Sequence, residues 1–306
     1  MADRLSGSNR STVSGHYHYH RLHWGGYVGR AARRLGLLFA GLFSGLLLAT
    51  QAHAFGERSH EVVVQLASRF FTPEATQLVR YFYGANYRNL LIADANWTAV
   101  NNRRPGNEDR LPFHYTWFEE GDTGFDPAQH CPQARCSVGA ILAAERVLAN
   151  PEQSRAQRME AFRALLHYMG DLHDPTNAGF RHDRGGRDTI VVATDLRRVD
   201  LYSVWQTELY EYFSGRPFEI ANAWFRDITP AMRAEWAAGT PQDWVWETHT
   251  LTRDLVYPLV ETAGGWNAIY RVQALPVYEE QLRKAAVRLA DRMNRVAASL
   301  AAADAL

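Results

Sequence analysis

A histidine and an aspartate stand four residues apart in a segment with helical periodicity. His167 and Asp171 lie within 155–172, where apolar residues recur at three- and four-residue steps. In a helix this spacing puts both side chains on one face, so that they can bind one metal ion, or the carboxylate can bridge two. The alternative is an ordinary hydrogen bond on a helix surface. Gly170 costs up to about 1 kcal/mol relative to alanine inside a helix, which predicts a packing or access requirement there.

Two further histidines are candidate metal ligands. His60 follows five residues after Phe55, which becomes the first residue if the chain is cleaved after Ala54. A freed α-amine has a pKa of about 7.7–8.0 and can chelate a metal together with its own carbonyl oxygen. The alternative for His60 is a place in the first turn of a helix without a ligand role. His114 stands at the edge of a loop, and its alternative is a structural role.

The first 54 residues have the build of a secretory signal peptide. Arginines at 30, 33 and 34 precede an apolar run over 35–49, and the small-x-small end Ala52-His53-Ala54 follows. The run is shorter than the roughly 20 residues that cross a bilayer as a helix, although a retained anchor is the alternative. We therefore expect a signal peptide and leader over 1–54, a secreted or periplasmic protein, and no stable membrane span.

The formal charge of the whole chain is zero, but residues 1–54 and 55–306 differ in charge. The 306 residues carry 33 basic and 33 acidic groups, and 46% are hydrophobic, which excludes a disordered or collagen-like chain. Six basic residues and one acidic residue fall in 1–54, so that 27 basic and 32 acidic groups remain, a formal charge of −5. Attraction to a nucleic acid must then come from local arginines and bound metals rather than from the overall field.

The rest of the chain is predicted to be one all-α domain over 55–306. Apolar stripes with helical spacing run through 61–71, 74–83, 137–148, 155–172, 244–257 and 277–300. Pro73 is placed to begin a helix, and Pro151 to close one. One β-branched run, 189–193, is strand-like and follows the turn-forming Asp-Arg-Gly-Gly stretch 183–186.

Residues 105–132 are predicted to form a long loop, because Pro, Gly, Asp and Asn are concentrated there. Cys131 and Cys136 stand at its end. Two nearby cysteines in an exported protein favour a disulfide. The alternative is a metal site with two cysteines, for which no second pair is present.

The order of these features resembles the secreted zinc-dependent single-strand nucleases of the S1 and P1 type, which share an all-helical fold with zinc phospholipase C. The resemblance covers essentially all of 55–306. The matching features, in chain order, are Phe55-Gly56 before His60, a helix with Trp97, His114-Tyr115, the cysteine pair before Val138-Gly139-Ala140-Ile141, His167 with Asp171, the stretch 183–186, Ser203-Val204-Trp205, Trp246-Glu247, and Arg288-Leu289-Ala290 with Asn294.

The resemblance implies an all-α domain with one small β-hairpin, and a zinc-dependent hydrolase. Its substrates would be the phosphodiester bonds of single-stranded nucleic acid, with 3′-nucleotides as a further class, attacked by a zinc-activated water. The implied zinc ligands are Phe55, His60, His114, His167 and Asp171, with Asp171 also catalytic as the bridging carboxylate. We expect one or two zinc ions, a disulfide between Cys131 and Cys136, and a monomer.

The sequence departs from the family pattern at two places. The aspartate expected two residues after Trp97 is replaced by Ala99. Asp94 lies about 140° around a helix from that position and can substitute only if the backbone register differs. The third zinc site is replaced at all its ligand positions, by Asn177, Tyr202 and Gln206, which bind zinc poorly.

The missing third zinc would hold phosphate and help the leaving oxygen, so its loss is expected to lower or narrow activity. Two alternatives therefore stay open. One is a phosphoesterase like zinc phospholipase C, and the other is a catalytically impaired binding protein with the same fold. The segment 138–141 after the cysteine pair resembles the nucleases more than the phospholipases.

Overall fold

The computed structural model describes residues 56–303; the predicted leader and Phe55 lie outside these residues. The described part is mostly helical. Its helices are α1 (Glu57–Ser68), α2 (Pro73–Tyr83), α3 (Tyr87–Ala93), α4 (Trp97–Asn102), α5 (Pro127–His130), α6 (Ser137–Ala149), α7 (Arg155–Leu172), α8 (Leu201–Ser203), α9 (Pro217–Asp227), α10 (Pro230–Trp236), α11 (Pro241–Leu251), α12 (Tyr257–Ala263) and α13 (Ala268–Ala302).

Short irregular turns connect or extend several helices. The 3₁₀ turns are Gly84–Asn86, Asp94–Asn96, Glu108–His114, Pro132–Ala134 and Tyr210–Tyr212, and the π-helical turns are Val204–Glu208 and Thr252–Val256. Within residues 56–303, β1 (Ile190–Val192) and β2 (Arg198–Asp200) form one antiparallel hairpin that pairs Val191 with Val199. The predicted strand-like run and the mostly helical class are therefore confirmed.

Local sequence explains where the helices begin. Helices α2, α10 and α11 each start at a proline that follows a threonine whose side chain accepts a backbone N–H of the first turn. Proline tolerates this position because its missing N–H has no intrahelical partner there. Pro73 begins α2 as predicted, and α6 ends at Ala149, two residues before Pro151. Helix α7 begins with a capping box of Ser154 and Gln157.

The core lies around the long helix α13, which packs against α1, α2, α6 and α7. Its inward stripe is fully buried and includes Leu282, Leu289 and Met293. Helices α6 and α7 form an extensively packed pair, and α4 packs against α7. These contacts hold the first turn of α1, the end of α7 and helix α4 together. The first two of these elements carry the candidate ligands His60, His167 and Asp171, and α4 carries Ala99.

The structure corrects one predicted helix and one predicted loop. The predicted helix 244–257 is divided into α11, a π turn and α12. Pro258 lacks the N–H that would continue a regular ladder, and the π turn directly precedes α12. The predicted loop 105–132 contains the 3₁₀ turn Glu108–His114 and the short helix α5. Among the described residues, no helix is both long enough and apolar enough to cross a membrane.

Candidate metal centre

His167 and Asp171 lie on the same face of α7, as their spacing predicted. Both side chains are fully buried, and His167 Nε2 lies 3.3 Å from Asp171 Oδ2. The well-capped α7 is long and packed on both sides, so that its last turn presents these two groups on a rigid support.

The first turn of α1 brings His60 to the same place. His60 Nε2 lies 3.5 Å from Asp171 Oδ1, and the His60 and His167 rings stack with centroids 4.0 Å apart. A Cβ at Gly170 would stand 2.7 Å from His60 Cε1. The packing requirement predicted for Gly170 is thereby identified, because only glycine leaves room for the His60 ring.

The hydrogen bonds of His167 define which nitrogen faces Asp171. His167 Nδ1 lies 3.0 Å from the carbonyl oxygen of Ala95 and must donate to it. In the neutral ring Nε2 then carries a lone pair. This buried Nε2 has no hydrogen-bond partner among residues 56–303. An imidazole oriented through its other nitrogen in this way is typical of a metal ligand.

The electrostatics of the centre favour a charged carboxylate beside a neutral imidazole. Burial lowers the pKa of His167 well below its ordinary value, and the charge of Asp171 only partly offsets this. Burial would raise the pKa of Asp171, but His167, His114 and His60 outweigh it and lower that pKa. Two electron-pair donors thus face each other in a fully buried space, an arrangement that a cation between them would stabilise.

His114 joins the centre through a hydrogen bond. It ends the 3₁₀ turn Glu108–His114, and its Nδ1 lies 2.8 Å from Asp171 Oδ2. Asn102 Nδ2 lies 3.2 Å from His114 Nε2 and donates to Tyr168 Oη at 2.7 Å. The network therefore assigns His114 as the Nδ1–H tautomer that donates to Asp171. Asn102 and Tyr168 were missed by the sequence reasoning, because neither spacing nor residue type distinguishes them.

The donor set of His60, His167 and Asp171 fits a metal ion. Neighbouring ligands of a tetrahedral zinc ion stand roughly 3.3–3.6 Å apart. Asp171 Oδ2 lies 3.3 Å from His167 Nε2, and Asp171 Oδ1 lies 3.5 Å from His60 Nε2. One ligand atom from each of the three residues can be chosen so that all lie within 4.8 Å of one another. His114 stands at hydrogen-bond distance from Asp171 instead. We call His60, His167 and Asp171 the His–Asp cluster.

The family model described as S1/P1 Nuclease matches residues 55–298, most of the chain and all of these elements. The chain belongs to the S1/P1 nuclease family. Endonuclease 3 of Arabidopsis thaliana is 24% identical over 81% of this chain and 91% of its own length. Nuclease S1 of Aspergillus oryzae is 24% identical over 82% and 95% of the two chains, and nuclease P1 of Penicillium citrinum is 22% identical over 79% and 97%.

Family membership confirms the predicted resemblance, the all-α fold and the enzyme class. S1/P1 nucleases are hydrolases that act on phosphodiester bonds of single-stranded nucleic acid, and the family is zinc-dependent in general. The predicted disulfide between Cys131 and Cys136 is present, so that the two-cysteine metal site is excluded.

The position of the missing family aspartate lies on α4. Ala99 is buried and offers no ligand. Asp94 does not take its place, because its carboxylate accepts hydrogen bonds from Tyr83 at 2.7 Å and Arg163 at 2.6 Å. Phe55 lies outside the described residues, but Gly56 N–H donates to the carbonyl oxygen of Gln206 at 2.6 Å.

The residues that were predicted to replace a third zinc site, Asn177, Tyr202 and Gln206, lie in one buried polar region. Gln206, in the first π turn, donates to the Asp174 carboxylate and lies 3.1 Å from Thr176 Oγ1. Asn177 Nδ2 lies 3.4 Å from Asp171 Oδ1, and Tyr202 is buried beside them. An amide, a hydroxyl and a second amide stand where zinc ligands are needed, and these residues do not fit a zinc ion.

An aromatic cleft opens next to His114. It has a volume of about 640 Å³ and is lined by Tyr115, Trp117, Arg135 and others. The Tyr115 and Trp117 rings stack with centroids 5.0 Å apart and an interplanar angle of 23°. The sequence reasoning missed this pair. Trp205, Trp224 and Trp244, by contrast, are buried in the core.

Proposed function

We propose that the His–Asp cluster binds one zinc ion and is where this chain hydrolyses phosphodiester bonds of single-stranded nucleic acid. The observation that carries the proposal is the contact between His167 Nε2 and the Asp171 carboxylate, at 3.3 Å in a fully buried space. A bound zinc ion there would supply Lewis acidity that activates water at neutral pH and offsets charge developing on phosphate.

The chain's own residues prepare the cluster for this role. Asp171 contributes a negative charge that remains at neutral pH, because its pKa is lowered. His114 donates to one carboxylate oxygen and fixes its orientation, while Asn102 fixes the tautomer of His114. Ala95 orients His167 in the same way. Such outer hydrogen bonds commonly change metal affinity or activity by about 10–100-fold.

The aromatic cleft supports a single-stranded substrate. The Tyr115–Trp117 pair stands directly after His114 in the chain, and both rings are half-buried. Base-to-aromatic stacking contributes about 1–3 kcal/mol per base and tolerates any sequence. A base in this cleft would bring its neighbouring phosphate towards the His–Asp cluster, while the paired bases of a duplex cannot stack there.

The first residue of the exported chain is proposed to complete the metal centre. The family match begins at Phe55, and the adjoining Gly56, four residues before His60, is held by a hydrogen bond to the carbonyl oxygen of Gln206. We infer that cleavage after Ala54 frees the Phe55 amine as a ligand and that the protein is secreted or periplasmic. A chain with two extra residues ahead of Phe55 should then bind zinc at least about tenfold more weakly.

The decisive experiment measures zinc content and hydrolysis on the same purified mature chain. Zinc is counted after dialysis, and the substrates are single-stranded DNA, RNA and a phosphatidylcholine analogue. His167→Ala is compared with His182→Ala, a matched change at an exposed histidine. We expect about one zinc per chain and hydrolysis of the nucleic acids, both lost in His167→Ala and retained in His182→Ala.

Two results would refute this function. Undiminished hydrolysis by His167→Ala would exclude the cluster as the catalyst, and cleavage of the lipid analogue alone would favour the phospholipase C alternative. The replacement of the family aspartate by buried Ala99 favours one second candidate, a catalytically impaired binding protein. Stable zinc and oligonucleotide binding without turnover would establish it.

A further inference from the structure

Arg187 packs directly against the replaced third zinc site. Its guanidinium carbon lies 3.4 Å from the centroid of the Tyr202 ring, and Tyr202 occupies one of the replaced ligand positions. The same guanidinium lies 4.9 Å from the ring of Tyr115, which lines the aromatic cleft. A permanent positive charge therefore lies between the former zinc site and the cleft.

A rigid turn fixes Arg187 in this place. The turn follows the Asp-Arg-Gly-Gly stretch 183–186, and the Asp183 carboxylate accepts from Gly186 N at 3.0 Å, Thr189 Oγ1 at 2.7 Å and Tyr257 Oη at 2.8 Å. Gly186 has φ +86°, and a Cβ there would stand 3.1 Å from Leu201 Cβ. The side chain thus leaves a well-supported backbone and is not placed by a mobile loop.

Arg187 differs from neighbouring arginines because no carboxylate forms an ion pair or a hydrogen bond with it within residues 56–303, although the Asp188 carboxylate is close enough for its charge to be felt. Arg181 pairs with Glu119, and Arg184 pairs with Asp188. The hydrogen bonds of Arg187 go instead to neutral oxygens, the carbonyl of Arg184 at 2.7 Å and Tyr115 Oη at 3.0 Å. In the described part of the chain no acidic side chain is ion-paired with it, and it is half-buried.

We propose that Arg187 binds the phosphate of the substrate in place of a third zinc ion. No third zinc ion then binds to this chain. Guanidinium is always charged and presents planar N–H donors that match phosphate oxygens. Stacking on Tyr202 holds the plane and leaves its edge for an anion. This inference rests on the proposed function, because the phosphate must belong to a nucleic acid that reaches the His–Asp cluster.

The test compares inorganic phosphate binding by the zinc-loaded mature chain and by Arg187→Gln, measured by calorimetry. Glutamine removes the charge but retains amide donors for the neighbouring oxygens. Arg184→Gln is the matched control in the same turn. A lost charged hydrogen bond should raise the phosphate Kd about 10- to 100-fold in Arg187→Gln. Arg184→Gln should leave the phosphate Kd within about twofold of the wild-type value. The Kd of Arg187→Lys should lie between those of the wild type and Arg187→Gln.

Zinc content gives a second and independent readout. We expect Arg187→Gln to hold as much zinc as the wild type, with a Tm that shows a folded chain. Phosphate binding unchanged in both Arg187→Gln and Arg187→Lys, or a third zinc in the wild type, would overturn the proposal. If the wild type fails to hydrolyse nucleic acid but its phosphate binding depends on Arg187, the proposed function fails and the phosphate site stands.

Discussion

At the scale of single residues, the absence of a side chain at Gly170 matters as much as the ligands do. The His60 ring lies against Gly170 and stacks on His167. Glycine weakens a helix by up to about 1 kcal/mol relative to alanine. The helix therefore carries a small local cost that lets the imidazole of His60 approach Asp171.

Gly170→Ala distinguishes helix propensity from packing against His60, because the two effects change the free energy of unfolding in opposite directions. Helix propensity alone predicts a gain in stability, whereas the clash with His60 predicts a loss of about 1–3 kcal/mol and a zinc Kd about 10–100-fold higher. Urea unfolding and zinc titration measure both quantities. Gly124→Ala is the control, because a Cβ there meets no atom within 4 Å. Increased stability with unchanged zinc affinity would contradict the packing argument.

The sequence predicts the parts of the metal centre that depend on contacts within one helix, and it does not predict those that depend on tertiary contacts. The four-residue step of His167 and Asp171 is set within one helix, and the prediction of a shared face is confirmed. Asn102 and Arg187 act through tertiary contacts with His114 and Tyr202. No periodicity encodes such contacts. The ligand roles of His60 and His114 stay predictions, although both residues reach Asp171.

At the scale of elements, the start of α6 positions the segment that carries His114. Ser137 N–H donates to the carbonyl of Tyr115 at 3.0 Å, and the Ser137 and Thr116 hydroxyls lie 2.7 Å apart. The disulfide closes the turn just before this helix, and Cys136 Sγ accepts from Gly139 N at 3.3 Å as its cap. The cross-link therefore supports the wall of the aromatic cleft as well as α6.

Replacing both cysteines by serine tests this cross-link. Serine is itself a good cap, so the change isolates loop closure, which contributes about 2 kcal/mol for so short a loop. We expect that loss in guanidinium unfolding, with α6 retained. Cys136→Ala with Cys131→Ser should cost about 1 kcal/mol more, because the cap is also lost. Equal stabilities of the two double variants would show that the cap contributes nothing.

A partly buried charge cluster joins α11 to α13. Glu247 accepts from Arg288 and from Lys284 Nζ at 2.6 Å. Arg288 Nη1 also lies 2.9 Å from Nε2 of His173. His173 is neutral, because burial, followed by the charge of Arg288, lowers its pKa to about 3. It thus supports helix packing and has no direct contact with the His–Asp cluster.

Glu247→Gln should make the free energy of unfolding depend less on pH in the acidic range. Burial would raise the pKa of Glu247, but Arg288 and Lys284 outweigh burial and lower it. A lowered folded pKa stabilises the protein above about pH 4.5, and this contribution is lost as pH falls through the folded pKa. We expect a deficit of about 1–2 kcal/mol at pH 7, moderate because Glu247 is 36% exposed.

Urea unfolding between pH 7 and pH 3 checks this expectation, with Glu261→Gln at an exposed position of α12 as the control. The difference between wild type and Glu247→Gln should shrink as the pH falls below about 4.5. A difference that stays constant with pH would show that the glutamate acts through packing and not through its charge.

At the scale of the molecule, helical periodicity predicted the fold class. The apolar stripe of each amphipathic helix must be buried against another element, and the stripes pack together in one common core. The division of 244–257 by a π turn could not be predicted from apolar spacing, because it depends on one missing N–H at Pro258. The signal peptide and the domain boundary at residue 54 lie outside the described residues and stay predictions.

The last prediction follows from the formal charge of residues 55–306. At a formal −5, binding of a single strand must rest on few phosphate contacts, Arg187 among them, rather than on a basic field. The logarithm of the binding constant falls by about 0.7 per contact for each tenfold rise in salt. We expect a slope of about −0.7 to −2 for a phosphorothioate oligonucleotide, measured by fluorescence anisotropy. Arg187→Gln should make this slope shallower by about 0.7. A slope steeper than about −4 would contradict the prediction, because it would require an extended basic surface. The groove that is lined by Arg69, Arg80 and Arg88 would then be the candidate surface.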